Sequence, residues 1–66
     1  MRTVRITTDL LRVDGGLFRA GTVLHVLREY RATGYRERDA VMLALGYEDG
    51  RVVLPCVEAG SVEVVE

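Results

Sequence analysis

Apolar and polar positions alternate along this chain in short runs, and glycine-containing turns separate the runs. In V-R-I-T-T-D-L-L, Val4, Ile6, Thr8 and Leu10 alternate with Arg5, Thr7, Asp9 and Leu11, a period of two that predicts a half-buried strand reaching to Leu11. Asp14-Gly15-Gly16 then marks a turn, and Leu17 and Phe18 are expected to fold back onto the core. Gly21 to Glu29 reads as the second strand. It is apolar on both faces, and a helix over Leu24 to Arg31 is the rival reading. Ala40 to Tyr47 reads as the third strand, with Val41, Leu43, Leu45 and Tyr47 on one face and Ala40, Met42, Ala44 and Gly46 on the other. Such a split between large and small suits a strand with one face in a core and the other against close neighbours. Ala, Met and Leu also form helices well, and a short helix is the alternative there.

The sharpest turn signal is Glu48-Asp49-Gly50, an Asp-Gly between apolar runs. Arg51 to Leu54 forms a fourth strand that Pro55 should end, because proline has no N–H for a ladder. Cys56 to Ser61 is a short link with room for one helical turn, and Val62 to Glu66 is the last strand. Between strands two and three lies a polar interruption, Tyr30 to Asp39, expected to be a long hairpin loop or fraying strand ends.

The order of these elements resembles the Src-homology-3-like small barrels. The resemblance rests on L-F-R-A-G-T-V-L-H-V-L returning from a long first loop, on E-D-G-R-V-V-L-P as the tight distal hairpin, and on V-E-V-V after a short turn. It spans nearly the whole chain and implies an all-β, five-stranded small barrel with a short helical turn before the last strand. Closure would remove free sheet edges. The peptide-binding members line a proline-motif groove with aromatics. Here the matching early segment is Thr7-Thr8-Asp9, there is no tryptophan, and only Pro55 remains of that groove. V-D-G-G-L-F-R-A-G-T-V also resembles the glycine-turn motif of ribosomal and transcription-factor barrels, and V-R-I with G-T-V resembles barrels that serve as accessory subunits.

Composition narrows the function. Sixty-six residues make one small domain, residues 1–66, with room for a shallow groove only. At 48% hydrophobic and 29% charged the chain is globular, and eleven valines favour strands. Net charge is −1, which provides no global field to draw in nucleic acid or an anionic membrane. All nine basic residues are arginine, a choice that GC-rich coding or selection for forked contacts would each produce. Cys56, the one cysteine, has no partner for an internal disulfide, and its apolar neighbours predict a buried, inert thiol. No signal-peptide core and no run near a membrane span of about 20 residues is present, so a cytoplasmic protein is expected.

Candidate chemistry is sparse. His25 is the only histidine, zinc spacing is absent, and no phosphate-binding glycine loop is complete. The carboxylates Glu48 and Asp49 belong to a turn rather than to a cleft. Neither catalytic residues nor a cofactor, metal or small-molecule substrate is expected. The informative segment is Tyr30-Arg31-Ala32-Thr33-Gly34-Tyr35-Arg36-Glu37-Arg38-Asp39, because Tyr and Arg are enriched at binding hot spots. Tyr30, Arg31, Tyr35, Arg36 and Arg38 are the expected binding residues. The acids interleaved with them favour a protein partner or a homo-oligomer, and a nucleic-acid-binding barrel using the same loop is the alternative.

Overall fold

The computed structural model describes residues 2–12, 14–34 and 39–65. Seven strands and one 3-10 turn, with no α-helix among the described residues, make an all-β molecule. A five-stranded antiparallel sheet has the order β6-β5-β4-β1-β7, and a two-stranded hairpin, β2-β3, stands beside it.

Strand β1 covers Thr3–Ile6 and turns Val4 and Ile6 into the core. It stops short of the expected Leu11. The Thr7 hydroxyl donates to the Ser61 carbonyl at 2.7 Å, and the Asp9 carboxylate accepts the Ala20 N–H at 2.7 Å. These two bonds tie the segment after Ile6 to Ser61 and to Ala20, and the chain bends there where the alternation alone would continue the strand. Leu10–Leu11 forms β2 and Leu17–Phe18 forms β3, paired Leu10↔Phe18 and Leu11↔Leu17. Their turn is held by Arg12 N–H on the Gly16 carbonyl at 2.7 Å and by Gly16 N–H on Asp14 Oδ1 at 3.0 Å. Phe18 reaches the core as expected, whereas Leu17 is 52% exposed.

Strand β4, Val23–Ala32, is the spine of the sheet, with β1 on one side and β5, Ala40–Gly46, on the other. The rival helix does not form. Of the two readings of the polar interruption, loop or fraying strand ends, the second holds for Tyr30, Arg31 and Ala32, which belong to β4 and pair with Met42, Val41 and Ala40. Cross-strand packing of Tyr30 on Met42 explains why the strand runs on through a polar segment. The register shifts once, between Val26 and Arg28, so Leu27 is an extra residue on β4.

Both faces of β5 are covered. Leu43 and Leu45 enter the core with Val4, Ile6, Leu24, Val26 and Val57. Met42, Ala44 and Gly46 are also buried but lie on the opposite face. The large and small faces expected for this strand are therefore both used. A Cβ on Gly46 would stand 2.0 Å from the Arg51 carbonyl oxygen and 2.5 Å from Leu27 Cδ1. Only glycine fits where β6 approaches so closely. The following turn, 47–51, closes with Gly50 at φ 91°, a left-handed value that glycine accepts freely.

Strand β6, Val52–Glu58, passes through Pro55 instead of ending there. It is an edge strand, so the missing N–H faces no partner. Leu45 pairs with Leu54 and Leu43 with Val57, which leaves Pro55 and Cys56 both opposite Ala44. This bulge turns two successive side chains outward. Cys56 is consequently exposed, not buried as its apolar neighbours predict. Ala59–Ser61 forms the helical turn expected before the last strand, and β7, Val62–Val64, pairs with β1. The expected closure into a barrel is not made by hydrogen bonds. Among the described residues no pairing joins β6 to β7, and the sheet is open.

Candidate functional site

Of the residues expected to bind, Tyr30 and Arg31 are described, while Tyr35, Arg36 and Arg38 lie outside the described residues. Tyr30 and Arg31 are consecutive in a strand, so they point to opposite faces. The structure separates them. Tyr30 lies on the outer face, over Met42, and Arg31 lies on the other, beside Val41.

What the fold places beside Tyr30 is Arg28, two residues earlier on the same face. Its guanidinium carbon stands 5.3 Å from the centre of the Tyr30 ring, a distance at which cation and ring attract. The half-buried Tyr30 ring crosses the sheet so that its hydroxyl donates to the Pro55 carbonyl at 3.0 Å. That carbonyl is available because the bulge at Pro55 and Cys56 takes it out of regular pairing. The Cys56 side chain beside the phenol pushes the Tyr30 pKa up through hydrogen bonding, and desolvation adds in the same direction. The neutral phenol is therefore the form the folded protein favours.

Arg28, Tyr30 and Cys56 thus form one outer surface on a rigid floor of Met42 and Ala44, which are 1% and 6% exposed. Compared with protein-family models, curated proteins and solved structures, the chain matches none. The surface therefore has to be read from its own chemistry. Glu58, opposite Met42 across the ladder, shares this face, so the surface offers an aromatic ring, a cation, a thiol and a carboxylate.

Elsewhere the charges alternate. Arg2 pairs with Glu29, Arg5 with Glu63 at 3.2 Å, Arg12 with Asp14 at 3.0 Å and Arg51 with Asp49 at 3.5 Å. The Gly16 N–H, and secondarily the Arg12 guanidinium, hold the Asp14 carboxyl below the usual range. No group of three or more His, Cys, Asp or Glu able to hold a metal occurs among the described residues, and no helix there is long and apolar enough to cross a membrane.

Reading the sequence locally misses Arg28 and Cys56 as members of this surface. Arg28 shares a face with Tyr30 by their spacing of two, the bulge at Leu27 sets which face that is, and the bulge at Pro55 turns Cys56 toward them. Pro55 inside an otherwise apolar run is the signal that could have suggested an edge strand with a bulge.

Proposed function

We propose that the chain is a small non-catalytic protein-binding module, an accessory subunit or regulator of a larger assembly, built on the Src-homology-3-like small-barrel plan. The strand order β7-β1-β4-β5-β6 and the 3-10 turn leading into β7 support that plan. The observation that carries the functional reading is the Tyr30 surface. A tyrosine and an arginine are held in one geometry on a buried floor, so little side-chain entropy is lost when a partner covers them. Arg2, Arg5, Arg12 and Arg51 are each paired with a carboxylate, which favours a protein partner over a phosphate backbone, since the latter needs unneutralised cations.

The test uses the intact chain immobilised for capture from its source cells, with Y30A and R28E variants beside it. Far-ultraviolet circular dichroism checks that both variants are folded. A partner retained by the native chain and lost from both variants is the expected result, whereas equal retention by all three overturns the surface assignment. Titration with labelled oligonucleotides at low salt is expected to show no binding. Binding that falls steeply with salt would replace this reading with the nucleic-acid one.

A further inference from the structure

A cross-strand row runs over the core face from Leu24 on β4 through Val4 on β1 to Val64 on β7. Exposure along it is 3%, 1% and then 63%. Strand β7 continues the apolar row, and among the described residues no strand pairs with its outer side. The Val65 N–H donates to the Thr3 carbonyl at 2.9 Å, so residue 65 directs its backbone at β1. In an antiparallel ladder successive residues alternate, and the N–H and C=O of Val64 therefore point away from β1, into the open. The edge thus presents an unpaired backbone donor and acceptor at the very residue whose side chain is bare.

We propose that a second copy of this chain pairs with β7, antiparallel about a two-fold axis through Val64. A two-fold contact requires one surface to complement itself, and the register shows which arrangement does so. With Val64 on the axis, its outward N–H and C=O exchange two hydrogen bonds with those of the partner's Val64. The row becomes Leu24–Val4–Val64 and then its mirror image, one continuous apolar strip through both sheets. Each Glu63 faces the partner's Val65, whose side chain is 39% exposed in the single chain and covers the flank of the Arg5–Glu63 pair. An axis moved to Glu63 would still pair the outward backbone groups of Val62 and Val64, but it would set like charges directly opposite, which is destabilising. An axis at Val62 would push Val64 against the 3-10 turn at Gly60. One register therefore satisfies the backbone, the apolar row and the charges together.

This inference rests on the reading of the chain as a protein-binding module but uses none of the Tyr30 surface. Sedimentation equilibrium of the intact chain over a wide concentration range tests it. A reversible monomer–dimer equilibrium is expected, unchanged in Y30A. V64K puts two cations on the axis at an exposed position where the fold is indifferent, and should weaken the dimer by at least tenfold. A synthetic chain N-methylated at Val64 removes only the outward donor and should weaken it likewise. A chain that is monomeric at every concentration overturns the proposal, as does a dimer that both changes leave intact. Loss of the captured partner in Y30A with the dimer preserved would mark the two surfaces as separate.

Discussion

Strand β6 ends its side of the sheet with Pro55 and two register shifts, whereas β7 ends the other side with a regular run, an outward backbone and Val64 63% exposed. Proline and bulges on an edge discourage further strand pairing. The bulges also make the Tyr30 surface, since they turn Cys56 outward and present the Pro55 carbonyl to the phenol. One edge has exchanged regular pairing for side-chain chemistry. The other keeps its regular ladder and retains the capacity to pair. Irregularity in this small sheet is therefore local and useful, and regularity is what leaves a surface open.

The strongest blow to the bulged edge is Gly46→Ala. Its methyl would meet the Arg51 carbonyl oxygen at 2.0 Å, so β6 must move, and a loss of about 3 kcal/mol is expected in chemical denaturation. The regular edge is sharpened by two substitutions in one row. Val4→Ala, at a position 1% exposed, should cost about 2 kcal/mol, whereas Val64→Ala, at a position 63% exposed, should cost under about 0.5 kcal/mol in dilute monomer. Comparable losses would show that Val64 is covered within the single chain.

Tyr30→Phe removes the hydrogen bond to Pro55 and should lower the denaturation midpoint near neutral pH by less than Val4→Ala does. Because the folded pKa of Tyr30 lies above its unfolded value, the neutral phenol's contribution is complete below about pH 10. It is lost as pH rises through the folded pKa. The stability gap between native chain and Tyr30→Phe should therefore narrow in alkali, and ultraviolet titration of the native chain should show a phenol titrating above the ordinary tyrosine value that is missing from Tyr30→Phe. The smallest change in stability is expected for Pro55→Ala, within about 0.5 kcal/mol. Its visible effect should be faster aggregation on prolonged incubation, followed by light scattering, as the guarded edge gains a donor.

The sequence made the strand class legible because alternation in Val4–Ile6 and the large–small split of Ala40 to Gly46 are local patterns that the sheet simply uses. The turns at 14–16 and 48–50 were legible for the same reason, since glycine and aspartate act on their own neighbours. The extension of β4 through Arg31 was not settled between loop and fraying strand end, because it depends on Val41 and Met42 across the ladder. Nor was the outward thiol legible, because Cys56 is aimed by a bulge counted against Ala44 on another strand. Of the candidate surface, Tyr30 could be picked out by residue type. Its companion Arg28 follows from a spacing of two on the strand, and the face they share is set by the extra residue at Leu27.

Strands β4, β5 and β6 follow one another along the chain, but β7 must find β1 across the length of the molecule; the Arg5–Glu63 pair joins residues 58 apart. Closing so long a loop is entropically slow, and contacts of this kind form late in folding. The meander therefore assembles first, and β7 is laid on as the last strand and released as the first. Hydrogen exchange should register this as a faster rate at the Val65 amide than at amides between β4 and β5. Before β7 docks, the outer groups of β1 are as open to a foreign strand as those of β7 are afterwards, so a nascent chain carries its pairing hazard on a different strand from the finished one.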